Sequence, residues 1–326
     1  MLVGNLAITL NLLSIAVLAC AISILFITMV SGFILPRLEN AAFGIRRLNL
    51  WALVTAPWWI AVCCVVLFWP STQQSLPIQW LNEFAHWHHI DIFSFSSWHS
   101  VTLIAASLYL FWGLVKALYV RHRQSSNLVN LLELSSIVSK KTQSQKQYYS
   151  LPVSVPAAFT AGLLSPRIYL TTALCQLVSE QELDIIVRHE QAHVAAYDPL
   201  LRVVFAFFAG FFPTSTKHKL IGQFTLLTEQ VADHAVTDVY DSLDIAQTLI
   251  NVARMQRPVT DSEDRLHASY FGNDHTTIRV KLLINPVFIS SRLTTGLSLA
   301  LFGTVLLLTA SSVDSFHHII ETLFTH

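Results

Sequence analysis

"IIVRHEQAHVAAYD", residues 185–198, sets His189, Glu190 and His193 in the order H-E-x-x-H. Ser179, followed three residues later by Glu182, is a capping-box signal, so the stretch reads as a helix that starts just upstream. Positions four apart share a helix face, and both imidazoles can therefore reach one metal ion. Glu190 lies about a hundred degrees around the axis, where a carboxylate can take a proton from a metal-bound water without ligating the metal. Such a pattern arises by chance in about one chain in 60 of this composition, so the argument needs a third ligand.

Catalytic zinc usually has three protein ligands and one open position. Downstream, "LLTEQVADHAV" (226–236) puts Glu229 and Asp233 four apart on a second expected helix. There Glu229 can ligate while Asp233 orients a ligand imidazole. The bland alternative, a solvated acidic helix face, loses ground beside a helical H-E-x-x-H. Asp198 and Pro199 mark the end of the first helix, Asp as a cap for the next one and Pro in its first turn.

The surroundings are those of a membrane protein. The chain is 53% hydrophobic and 12% charged, against about 25% charged residues in an average soluble domain. Four stretches, 6–34, 50–69, 98–120 and 293–313, are apolar enough to cross a bilayer, which takes about 20 residues. Arg37, Arg46 and Arg47 lie between the first two, and Arg121, Arg123, Lys140 and Lys141 follow the third. No Lys or Arg falls in 70–97 or after Val313. The positive-inside rule then sets both termini and the 70–97 loop outside, with everything between the third and fourth spans in the cytoplasm of a cell whose inner membrane holds the chain. Net charge is zero, and no basic run points to nucleic acid. The four cysteines have neither disulfide-framework nor zinc spacing. Outward histidines in "HWHHID" (86–91), at His99 and in the tail are read as company for an interfacial aromatic belt rather than as a metal site.

The organisation expected is three spans and their loop in 1–120, an amphipathic segment and linker in 121–150, a cytoplasmic domain in 151–290, and a last span with a short tail in 291–326. The polar run "SKKTQSQKQ" (139–147) reads as linker. "PVSVPAAFTAGLLSPRIYLTT" (152–172) reads as two short strands and a turn, with the 168–170 strand at an edge because of nearby proline. Helices are expected near 180–197, 218–239 and 242–256. "LLRVVFAFFAGFF" (200–212) is apolar all round but short for a span; it is either a core helix or one lying against the membrane.

The series "AAFTAGLLSPRIYLTTAL", "RHEQAHVAAYD", "EQVAD" and Arg279 resembles the membrane zinc metallopeptidases of the BlaR/MecR type, and is similar, more distantly, to the HtpX and CAAX-protease gluzincins. The resemblance implies a membrane α-helical fold of four transmembrane helices with an inserted cytoplasmic α+β, gluzincin-like zinc metallopeptidase domain. It implies His189, His193 and Glu229 as Zn2+ ligands, Glu190 as general base and acid, and Asp233 as a partner behind a ligand. It also implies that the 168–170 strand takes up an extended substrate, and that His275 and Arg279, in "NDHTTIRVKLL" (273–283), stabilise the oxyanion, unless Arg279 merely pairs with a carboxylate. The implied substrate is a cytoplasmic repressor of the BlaI/MecI type, or the chain itself, with the polar stretch 257–275 the most cleavable.

Only residues 314–326 follow the last span, so the external penicillin-binding domain of the β-lactam sensors is not expected here. Two rivals stand beside the peptidase reading. One is a non-proteolytic membrane transducer with a structural zinc. The other, an intramembrane protease, is disfavoured by Glu180, Glu182, Asp184 and Arg188 around the motif, which are too polar for a lipid-buried helix.

Overall fold

The computed structural model describes residues 1–39, 41–69, 92–95, 98–133, 138–142, 146–256, 265–286, 296, 300, 303–313 and 315. Helices α1 (Asn5–Leu38) and α2 (Phe43–Leu67) form an antiparallel pair, and both are long and apolar enough to cross a membrane. At 1.5 Å per residue α1 is about 51 Å long, well beyond the ~30 Å of a hydrocarbon layer. Strands β1 (Leu2–Val3) and β2 (Ile92–Phe93) pair antiparallel at the start of α1. Helix α3 (Trp98–Glu133) is apolar over its first part, His99–Val115, and runs on without a break through the segment read as amphipathic linker. A further apolar helix, α10, covers Gly303–Val313 and packs Val305, Ala310 and Val313 into the same core as α1 and α2. The residues at 70–91 and 316–326, which carry most of the outward histidines, lie outside the described residues, as does most of 293–302. His99 itself is buried at the head of α3, hydrogen-bonded through Nδ1 to Ser14 at 2.9 Å.

Four strands follow: β3 (Val138–Lys141), β4 (Gln147–Leu151), β5 (Ala158–Ala161) and β6 (Arg167–Thr171), in the spatial order β3-β4-β6-β5. Two expectations are corrected here. The run 139–147 is not a linker: Val138 pairs with Ser150 and Lys141 with Gln147 in an antiparallel hairpin. Nor is 168–170 an edge. Strand β6 has β5 on one side, antiparallel, and β4 on the other, parallel with Tyr149 opposite Tyr169. Pro166 stands just before β6 rather than inside it, so the ladder loses no donor, and among the described residues the edge strands are β3 and β5.

Helix α4 (Thr172–Leu177) is capped by the Thr171 hydroxyl. The domain then continues through α5 (Glu180–Ala195), α6 (Asp198–Ala209), α7 (Thr214–Val236), α8 (Ser242–Met255) and α9 (Arg265–Ile284). α5 lies across β5 and β6, with Ile186 and Val187 packed on Ile168, Leu170 and Leu174. The second part of the expected cleavable stretch, from Arg265 on, is helical in α9.

The apolar segment 200–212 proves to be α6 and the turn after it. It is buried on one side only: Phe205, Ala209 and Phe212 join Leu220, Phe224 and Leu227 of α7 in a single core with α1 and α2. The helices α6 and α7 and the membrane-length helices α1 and α2 are therefore not separately packed bodies.

Candidate metal centre

The helix that carries the motif begins as its sequence requires. The Ser179 hydroxyl accepts from the Glu182 backbone at 3.3 Å, and the Ser179 backbone donates to the Glu182 carboxylate at 2.9 Å. From that start, His189 and His193 reach one face of α5, and Glu229 of α7 comes up opposite them. Nε2 of His189 lies 3.2 Å from Nε2 of His193 and 3.3 Å from a Glu229 oxygen; Nε2 of His193 lies 3.6 Å from the other. Donors bound to zinc at about 2.0–2.1 Å in a tetrahedron stand about 3.3–3.5 Å apart. The three side chains are thus brought together with a spacing that could hold a single ion.

The rings' outer nitrogens decide the chemistry. His193 Nδ1 is 2.6 Å from Asp198 Oδ2, and His189 Nδ1 is 3.0 Å from Asp233 Oδ1. A carboxylate only accepts, so each Nδ1 bears a proton, and each ring, once its other nitrogen is deprotonated, aims an Nε2 lone pair at the common point. With both Nε2 atoms deprotonated, two lone pairs and a carboxylate converging at that distance repel one another unless a cation sits between them. This donor set fits a divalent cation of the zinc type.

Each ligand has its own support. Arg279 forks onto Asp233 with Nε and Nη2, each at 2.7 Å, and its Nη1 reaches Glu229 at 3.0 Å. Arg202, on α6, donates to the second Glu229 oxygen at 2.7 Å and to the Thr228 hydroxyl at 2.7 Å. α6 therefore orients two of the three ligands, His193 through Asp198 and Glu229 through Arg202. Asp198 reaches back five residues because Tyr197 takes a left-handed conformation, φ 53°, that bends α6 by 55° away from α5.

Without a cation the site is strongly coupled. Burial alone would lower His189, but the carboxylates of Asp233 and Glu229 outweigh it and hold the ring up at about 10. Burial would raise Glu229, yet the hydrogen bond from His189 and the charge of Arg279 hold it far below the usual carboxylate range. Asp233 is likewise lowered against its burial by Arg279 and His189.

Glu190 is buried beside the triad, and Thr160 of β5 donates to its Oε2 at 2.8 Å. The carboxylate is thereby aimed without being neutralised by a cation. A cleft of about 490 Å³ opens over Glu190 and the triad, with Phe159 and Thr160 of β5 on one wall and Ile245, Leu249 and Val252 of α8 on another. From α9 it is lined by Thr276 and Arg279 but not by His275. Arg279 is occupied by two carboxylates, the bland alternative considered for it.

Sequence reasoning passed over three members of this site. Asp198 was taken for a cap of the following helix, yet the cap position is Tyr197 and Asp198 serves His193. Arg202 is a single cation in an otherwise apolar run, which gives no sign of its contact with Glu229. Thr160 carried no signal at all.

A family model described as BlaR1 peptidase M56 matches residues 16–282, most of the chain. No curated protein and no solved structure matches it.

Proposed function

This chain belongs to the BlaR1 peptidase family, M56, and from that premise we propose that it is a zinc-dependent endopeptidase anchored by four membrane spans. Its centre would lie on the arginine-rich, cytoplasmic side, and it would cut a protein in signal transduction. The observation that carries the reading is the convergence of His189, His193 and Glu229, with Nε2 of each ring 3.2–3.6 Å from the other ring or from one of the two Glu229 oxygens, and each ring turned by a carboxylate at Nδ1 so that Nε2 faces the common point. His189, His193 and Glu229 would hold the ion, which when bound supplies Lewis acidity to a water and to the substrate carbonyl.

The chain's own groups do the rest. Glu190 takes the proton from the attacking water. It returns that proton to the amine nitrogen as the C–N bond breaks. Thr160 fixes the carboxylate for both transfers. An extended substrate would add antiparallel to the free edge of β5, whose Phe159 and Thr160 already line the cleft. Arg279 acts through Asp233 and Glu229 and Arg202 through Glu229, and His275 does not line the cleft. By family, the substrate is a BlaI/MecI-type transcriptional repressor or the chain itself, with no direct nucleic-acid contact.

The test uses purified full-length protein in lipid nanodiscs and a degenerate peptide library, with products read by mass spectrometry. Glu190→Gln should retain one zinc per chain and lose about 10²–10⁴-fold in cutting rate, the usual share of a general base. His193→Ala should lose both zinc and cutting. A wild-type protein that holds its zinc tightly and cuts nothing would instead favour the transducer with a structural metal.

A further inference from the structure

Besides holding two of the ligands, α6 runs along the membrane helices. Phe205 meets Trp51 of α2 edge-on at 5.3 Å, and Phe208 and Phe211 meet Trp58 at 6.3 and 5.0 Å, so α6 and α2 lie side by side and point the same way. Phe211 also reaches Tyr109 of α3 at 6.3 Å. α7 returns along the same helix. Phe224 stacks on Phe205 at 4.2 Å and meets Trp51 at 5.7 Å, and Gln230 accepts from the buried Arg46 guanidinium at 2.7 Å. α6 and α7 are thus a hairpin laid beside α2 from Arg46 to Trp58, about 18 Å of helix, more than half of a ~30 Å hydrocarbon layer.

Its outer face has the composition for that place. Val203, Val204 and Phe207 are exposed, Phe207 at 60%. The same apolar belt continues over Trp59 and Val62 of α2 and over Leu108 and Phe111 of α3. Because it is continuous with the surface of a helix built to cross a membrane, the occupant of this face is acyl chain. The turn beyond Gly210 ends the insertion: Thr214, Ser215, His218 and Lys219 are exposed and polar. Hydrocarbon does not seal over such a tip; the bilayer thins around it, with the lysine snorkelling to headgroups.

At the other end of the hairpin stand Asp198 and Arg202, touching His193 and Glu229, and Gln230, next to Glu229, is tied to Arg46. The metal centre is therefore level with the arginine end of α2, where hydrocarbon gives way to headgroups.

We infer that the cleft opens at the membrane surface, and that its substrate class is a polypeptide segment held at that surface by an anchor of its own rather than a freely diffusing protein. This rests on the peptidase reading above. Of the substrates the family suggests, it singles out the membrane-held one, the chain itself included. Confinement to the surface raises the local concentration of such a segment without any added contact.

The test offers the degenerate library to full-length protein in nanodiscs in two forms, free and carrying an N-terminal palmitoyl group, with zinc-dependent cuts located by mass spectrometry. The palmitoylated form should be cut about tenfold faster or more, at bonds clustered near the anchored end. Equal rates, with cuts spread along the peptides, would overturn the inference and leave the peptidase standing. No zinc-dependent cut in either form would overturn both. A nitroxide at Phe207→Cys, in a chain with Cys20, Cys63, Cys64 and Cys175 replaced, should collide with oxygen and be shielded from a water-soluble nickel chelate. Free access of the chelate to that label would remove the geometric basis of the inference.

Discussion

Asp198 and Asp233 do equivalent work on opposite sides of the ion site, each pinning a ring so that its far nitrogen is free to ligate. Loss of such a partner typically costs about 10–100-fold in metal affinity. Asp198→Ala should weaken zinc by that factor in a chelator competition, although Asp198 is not itself one of the three ligands. The same coupling makes binding depend on pH. With His189 held up at about 10 in the metal-free protein, the ring carries a proton at neutral pH that zinc must displace. Apparent zinc affinity should therefore rise by about tenfold per pH unit from 6 to 8 and release about one proton per ion, read by calorimetry in buffers of differing ionisation enthalpy. A flat profile would mean the ring is already neutral. The meeting of His189, His193, Glu229 and Asp233 was legible in sequence because helical periodicity puts each pair on one face. Asp198 was not, since five residues is no helical spacing and its contact depends on a left-handed tyrosine that no propensity announces.

Among the elements, β5 matters most for its size, because its Thr160 aims Glu190. The turn that leads out of it hinges on Gly162, at φ 110°, where an added Cβ would lie 2.6 Å from the Ser165 carbonyl oxygen. Gly162→Ala should cost about 1–3 kcal/mol and lower the cutting rate while zinc content stays whole, seen by melting temperature, turnover and metal analysis together. Three helices of this domain, α5, α7 and α8, were readable to within about four residues at each end, helped by a capping box and a Pro after the bend; α4 and α9 were not expected. The sheet was not readable. Its order depends on the parallel pairing of β4 with β6, and β3, beside β4, arises from a polar run whose composition resembles a tether more than a strand. A proline next to a strand does not confine it to an edge, since Pro166 precedes β6 and removes none of its donors.

At the scale of the molecule, the core is shared. Arg46, 1% exposed, grips both Gln230 and Gln223 of α7, and Glu39 accepts from Gln223 as well. Arg46→Leu leaves those amides without their partner and should cost about 1–3 kcal/mol, measured by denaturant titration in detergent with zinc bound. Composition made the membrane plain from sequence. The insertion of α6 did not follow, because a helix too short to cross gives the same hydropathy whether it lies within a domain or against lipid. α3 adds a mechanical point. It runs from Trp98 to Glu133 with no proline, a rod of about 54 Å. A swing of 10° about its head carries its foot through an arc of about 9 Å, since nothing in its length absorbs the turn by kinking. After four intervening residues begins β3, at the opposite end of the strand order from β5, which aims Glu190, so a displacement passed to β3 would reach that carboxylate only as shear across β4 and β6.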